Sequence, residues 1–154
     1  MHREIEYLGH FIAPGELKVA KKNIIAIQGF APPKTRTEIK SFLGICNVYR
    51  RFIIDFATIS APLNALLRKD APDNFELRQN QIDSFNNLRQ KLTSPPFLSL
   101  PKPGLPYILD KDANDFQVGC VLQKKYSNNS IHPIGFFSTT LNDTENKYDT
   151  TEKE

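Results

Sequence analysis

Apolar residues between Ile39 and Ile53 recur at three- and four-residue steps: Ile39, Phe42, Leu43, Cys46, Tyr49, Phe52 and Ile53. That spacing is the stripe of an amphipathic helix. Thr35-Arg-Thr-Glu38 ahead of it reads as a capping box, the Thr35 hydroxyl accepting from the backbone three residues on while Glu38 reaches back. An earlier helix is predicted from Ala20 through Ile24, Ile25, Ile27 and Phe30, stopped by Pro32-Pro33. Ser60-Ala-Pro-Leu63 predicts a further helix with Ser60 as N-cap and Pro62 in its first turn. Leu63, Leu66 and Leu67 form its buried side, and Asp70-Ala-Pro-Asp-Asn74 ends it. The last helix spans about Gln79 to Leu92, burying Ile82, Phe85, Leu88 and Leu92, until Pro95-Pro96 closes it.

Both ends of the chain follow a shorter period. Ile5 to Val19 alternates loosely about Ala13-Pro-Gly15 and reads as a hairpin turning at Pro14-Gly15, with Leu17 and Val19 on one face of the return strand. Strands are predicted at 106–112, 116–124 and 131–139, with Tyr126-Ser-Asn-Asn-Ser130 as the loop between the last two. Thr150-Thr151 reads as an N-cap entering a helix. The expected class is therefore α+β: an N-terminal β-hairpin over 1–19, a small helical bundle over 20–95 with a core of its own, a stiff Pro-rich linker over 96–105, and an antiparallel hairpin sheet in 106–154.

Composition adds limits rather than identity. With 154 residues, 40% hydrophobic and 24% charged, the chain has the balance of a folded soluble protein. A net charge of +3 is too mild to name nucleic acid as a partner by itself. Cys46 and Cys120 each lie in apolar patterns without a second cysteine or histidine at metal spacing, as reduced buried thiols do. No stretch approaches the length of a membrane span and Met1-His-Arg3 opens no apolar leader, so an intracellular protein, cytoplasmic or nuclear, is expected. Asn128-Asn-Ser130 and Asn142-Asp-Thr144 match the glycosylation triplet but read as loop residues.

Two places carry candidate chemistry. In Tyr107-Ile-Leu-Asp-Lys-Asp-Ala-Asn-Asp-Phe-Gln-Val-Gly-Cys-Val-Leu-Gln123, alternation puts Ile108, Asp110 and Asp112 on one strand face, with turn chemistry at Ala113-Asn-Asp115. Asp112 stands where a metal-dependent nuclease would hold its first carboxylate. Gly119 inside the second strand suggests the close approach of another backbone or of substrate. Opposite the apolar stripe of the 35–53 helix lie Lys40, Gly44, Asn47 and Arg51. Gly44 would leave a flat spot for a nucleic-acid backbone, with Lys40, Asn47, Arg50 and Arg51 contacting phosphates or sugars. The competing reading is a solvated face whose glycine packs on a neighbouring helix.

The motifs taken in order carry a resemblance. Glu6-Tyr-Leu-Gly-His-Phe-Ile12, Ala31-Pro-Pro-Lys-Thr35, Ser41-Phe-Leu-Gly44, Tyr49-Arg-Arg-Phe-Ile53, Ala61-Pro-Leu63, the Asp112 hairpin, His132-Pro-Ile134, Leu141-Asn142 and Tyr148-Asp-Thr-Thr-Glu-Lys-Glu154 together resemble the Pol polyprotein of gypsy-type LTR retrotransposons. The resemblance runs from the end of the reverse transcriptase palm, with its primer-grip-like hairpin at 1–19, through the thumb into the first half of ribonuclease H. It implies an RNA:DNA hybrid or DNA duplex as partner, together with the remainder of the polyprotein. It also implies Mg2+ held by four acidic residues, of which Asp112 matches the first and Glu154 the second.

The other two acidic positions would lie beyond Glu154, and no adjacent aspartates occur anywhere to serve a polymerase palm. The expectation is a piece of a reverse transcriptase/ribonuclease H, inactive alone, with weak or no metal binding. The alternatives are a non-catalytic module that binds nucleic-acid duplexes and a protein interaction role kept after loss of catalysis.

Overall fold

A computed structural model describes residues 4–71, 75–113, 117–142 and 145 of the chain. Part of the Ala113–Asp115 turn, the Thr150-Thr151 cap and Glu154 lie outside the described residues.

Strands β1 (Ile5–Tyr7), β2 (His10–Ala13) and β3 (Glu16–Val19) form an antiparallel meander. The expected turn at Pro14-Gly15 is present, with Gly15 at φ +81°. A proline followed by a left-handed glycine is the signature of a type II turn. The sequence pattern did not reveal a second turn, at Leu8-Gly9, where both residues have positive φ. Two positive φ values define a type I′ hairpin, and leucine there is strained.

Four helices come next: α1 (Lys21–Gln28), α2 (Arg36–Val48), α3 (Phe56–Ala65) and α4 (Gln79–Thr93), with a 3-10 turn at Arg50–Phe52. The Thr35 hydroxyl accepts from the Glu38 N–H at 3.2 Å as the capping box requires. Glu38, however, reaches past Thr35 to the Lys34 N–H at 2.6 Å. The seven stripe residues from Ile39 to Ile53 are all buried.

Helix α3 departs from expectation at its start. Ser60 is not its N-cap: the helix begins four residues earlier at Phe56, and Pro62 lies inside it. Asp55 is the N-cap residue, in a left-handed conformation (φ +59°), and its side chain makes no cap bond. The Ser138 hydroxyl, from a strand 81 positions away, accepts from the Ala57 N–H at 2.9 Å in its place. A first-turn amide satisfied from a distant strand leaves no local signal. Ser60 instead is buried within the helix, where its hydroxyl bonds back to the Ala57 carbonyl at 3.3 Å.

The 96–105 segment, expected as a stiff extended linker, turns at Pro103-Gly104, where Gly104 has φ +84°, and it is not free. Its β4 (Leu98–Ser99) pairs with β3 through Leu17 and Glu16, closing a four-stranded sheet ordered β1-β2-β3-β4. Leu17, Val19 and Leu98 belong to the same buried cluster as Ile27, Phe42, Leu63, Phe85 and Leu92. The core of the helices thus extends into the first sheet on both sides of 20–95.

The second sheet is β5 (Tyr107–Ala113), β6 (Gln117–Lys125) and β7 (Ile131–Thr140), antiparallel and in that order, close to the predicted spans. A register shift opposite Leu122-Gln123 leaves Ile134 without a paired partner and bulges β7 beside Pro133. Ile134 itself is buried. Among the described residues no helix is long and apolar enough to cross a membrane.

Candidate nucleic-acid interface and carboxylate site

Helix α2 buries its apolar stripe and turns Lys40, Gly44 and Asn47 to solvent. A Cβ built on Gly44 would meet nothing within 4 Å, so the glycine does not serve to pack a neighbouring helix. It lines instead an open groove of ≈ 580 Å³ between α2, α3 and the end of β7. Asn47, Asn64, Arg50 and Arg68 give the groove polar and cationic walls, with Ser138 and Thr140 closing it on the sheet side. Asn64 and Arg68 fall within the helix the sequence predicts, but nothing local marks them, because only the packing of α3 beside α2 and β7 brings them to the same groove as Gly44.

The two adjacent arginines serve first within the chain. The Arg50 guanidinium donates to the Ser138 carbonyl at 2.6 Å and lies over the Phe56 ring, its centre 5.5 Å away. Arg51 turns inward: its Nη2 donates to the carbonyl of the bulged Ile134 at 3.3 Å, and its buried Nε has no hydrogen-bond partner among the described residues. Asp55 accepts from Gln117 Nε2 at 3.2 Å, and the Thr58 hydroxyl donates to the Oε1 of the same glutamine. The helical region is thereby joined through polar contacts to β6 and β7 of the second sheet. Lys124, only 1% exposed, adds a bond from its ammonium to the Leu100 carbonyl at 2.9 Å.

Asp112 pairs with Gly119 and Asp110 with Val121, which places both carboxylates on the sheet face that also carries Phe136 and Ser138. That face looks toward the helices, and with Ile54 and Asp55 it encloses a recess of ≈ 220 Å³. Asp110 accepts from Gln123 Nε2 at 2.9 Å, which occupies one of its oxygens. A Cβ on Gly119 would lie 3.8 Å from the Asp112 and Phe137 carbonyls, an ordinary contact, so no described backbone explains this glycine. It leaves the floor of the recess open beside Asp112. Among the described residues no group of three or more His, Cys, Asp or Glu is placed to hold a metal. The carboxylates that line the recess are Asp55, Asp110 and Asp112, and Glu154 lies outside the described residues.

Burial shifts two groups near the groove helix. Cys46 on its inner side is pushed up to about 12 by desolvation, so it is an inert thiol. Desolvation also raises Tyr49, against the hydrogen bond from Asn23 that lowers it.

Comparison with known proteins agrees with this layout. Residues 77–154 match the family described as RNase H-like domain found in reverse transcriptase, a match that takes in α4 and β4 as well as the second sheet. The chain is 34% identical over 154 residues to the retrovirus-related Pol polyprotein from transposon 297 of Drosophila melanogaster. It is 30% identical over 151 residues to the transposon Tf2-3 polyprotein of Schizosaccharomyces pombe. It covers 14% and 11% of those relatives' lengths, and they cover 100% and 98% of it. Among solved structures, foamy viral protease-reverse transcriptase in complex with dsDNA shares the fold at TM-score 0.82 and 21% identity, over 99% of this chain and 32% of that one. The same protein in complex with RNA/DNA hybrid gives TM-score 0.81 and 22% identity, over 97% and 20%. Motif order, fold and relatives converge: the chain belongs to the family of RNase H-like domains found in reverse transcriptase, within the Pol polyproteins of gypsy-type LTR retrotransposons.

Proposed function

We propose that this chain is the stretch of a retrotransposon Pol polyprotein that grips a nucleic-acid duplex between the polymerase and ribonuclease H centres. Residues 1–19 would end the palm, 20–95 form the thumb, 96–105 connect through β4, and 106–154 begin ribonuclease H. The observation that carries the reading is the open space over Gly44, on a solvent-facing helix surface with Lys40 and Asn47, inside a groove also lined by Arg50 and Arg68. A side-chain-free spot admits a sugar-phosphate backbone, and flanking cations and amides hold it without reading sequence. Arg50 reaches the groove while bonded to Ser138, whereas Arg51 acts from inside by holding the sheet that forms the far wall.

Asp112, with Glu154, would supply half of the carboxylates for Mg2+ in the parent enzyme, where the ions activate water against the RNA strand. RNA-directed DNA synthesis and hybrid hydrolysis are then properties of the polyprotein, and this chain alone binds without cleaving. Such a polyprotein works inside the cell, on RNA:DNA hybrid or DNA duplex.

Gly44→Leu tests the groove cleanly, because the added side chain meets open space and glycine is the poorer helix former by about 1 kcal/mol. The variant should melt no lower than the parent and lose binding to a short RNA:DNA hybrid at low salt. Lys40→Ala should weaken binding and reduce the slope of log affinity against log salt by about 1. Undiminished binding by Gly44→Leu would sink the groove as the binding surface, and hybrid cleavage by the chain with Mg2+ would overturn the division of labour.

A further inference from the structure

The Leu8-Gly9 turn holds a leucine at φ +46°, a conformation that costs an L-residue with a Cβ roughly 1–2 kcal/mol. Such strain persists only where the surroundings over-determine it. Three donors converge on the next carbonyl: Gly9 O accepts from the Ala20 N–H at 3.0 Å, the Tyr49 hydroxyl at 3.0 Å and Asn23 Nδ2 at 3.2 Å. Asn23 Nδ2 also lies 2.6 Å from the Tyr49 oxygen, so Asn23 donates to both acceptors. The packing leaves no slack, since a Cβ on Gly9 would stand 2.5 Å from the Tyr49 hydroxyl and 2.8 Å from Asn23 Nδ2. His10 closes the other side, its ring 5.3 Å from Tyr49 and stacked on Phe52 at 5.9 Å. Tyr49 is the C-cap residue of α2, the helix that carries Gly44 and Asn47, and the tip it restrains exposes Tyr7 (63%) and Leu8 (76%).

We propose that Tyr49 is a positioning residue: its hydroxyl, with Asn23, ties the strained Leu8-Gly9 turn to the end of the groove helix, so that groove and turn act as one body when a duplex binds. The tie itself belongs to the free chain, and its action in duplex binding rests on the groove reading above. Tyr49→Phe removes the hydroxyl and keeps the buried ring, so the core stays filled.

Amide hydrogen exchange across residues 7–11, with and without a short RNA:DNA hybrid, decides the matter. In the free chain Tyr49→Phe should speed exchange there about threefold to tenfold, the worth of one hydrogen bond, while exchange in α4 is unchanged. Leu8→Gly relieves the strain, so the same substitution in that background should have a smaller effect on the turn. In the wild-type chain hybrid should slow exchange at the turn, and in Tyr49→Phe the hybrid should still bind within about threefold but no longer protect residues 7–11. Unchanged turn exchange in Tyr49→Phe, or protection that survives it, overturns the proposal. If the wild-type chain binds no hybrid, the groove reading falls, and the tie stands or falls on the free-chain exchange alone.

Discussion

The helical region and the second sheet reach stability by different routes. Among the described residues the buried apolar cluster lies entirely between Leu17 and Leu98, where side chains from β3, all four helices and β4 meet. The sheet β5–β7 contributes a half-buried Phe136 against that cluster and a buried Ile134 outside it, and leaves Leu109 (55%) and Phe137 (49%) exposed on its other face. Polar bonds tie it to the helices as well: Arg50, Arg51, Ala57 and Thr58 bond to Ser138, Ile134 and Gln117. Apolar burial makes a region self-supporting, whereas directional bonds fix how one region sits on another. For a protein that presents a groove across a seam, the second property matters as much as the first.

Phe42→Ala should break the comparison most sharply. Its ring is buried 4.6 Å from Phe85 and 5.3 Å from Phe30, and its loss should cost about 3–5 kcal/mol by chemical denaturation. A cost under about 1 kcal/mol would mean that the helices do not depend on this core. Arg51→Ala removes a charge-assisted bond between the regions and should cost about 1.5–3 kcal/mol. Limited proteolysis should then cut the Tyr126–Ser130 loop while the helices still resist, and simultaneous loss of both regions would contradict the polar-seam picture.

The cysteines give a comparison within one molecule, since Cys46 is buried in the helices and Cys120 is half-buried in the sheet. A thiol reagent should label Cys120 in the native chain and Cys46 only on unfolding. Cys46 has a second consequence. Its folded pKa is raised to about 12, so above the ordinary thiol pKa of about 8.5 the unfolded state holds fewer protons than the native one. The contribution is fully present below that pH and is lost by up to about 1.4 kcal/mol per pH unit as pH rises toward the folded value. Urea titrations from pH 8 to 11 should show a steeper alkaline decline for the parent than for Cys46→Ala. The smallest effect belongs to the open sheet face: Phe137→Ala should change stability by no more than about 0.5 kcal/mol, and a larger loss would show that this face is covered in solution.

Much of this was readable in advance where the signal is local. The stripe from Ile39 to Ile53, the Thr35 cap, the Pro14-Gly15 turn and the three strands about Asp112 rest on side-chain period and turn chemistry within a few residues. The start of α3 is not legible in the sequence, because its first-turn amide is satisfied by Ser138. Strand β4 has no signal of its own in the sequence, because two residues among prolines show no alternation, and only pairing with Leu17 and Glu16 makes them a strand. At the candidate site, the solvent-facing positions of Lys40, Gly44 and Asn47 came from helix period. The inward turn of Arg51 did not, because α2 ends at Val48 and the 3-10 turn at Arg50–Phe52 breaks the phase of the helix.

The sequence by itself therefore determined the kind of elements, their faces and, through the order of its motifs, the family. Tertiary structure alone decided which arginine faces the groove and which holds the sheet, which hydroxyl caps α3, and that a strained Leu8 turn is fastened by Tyr49 and Asn23. The physical reason is range. Periodicity and turn preference act over a few residues, whereas these bonds join partners 26 to 88 positions apart and exist only once the core has brought their backbones together.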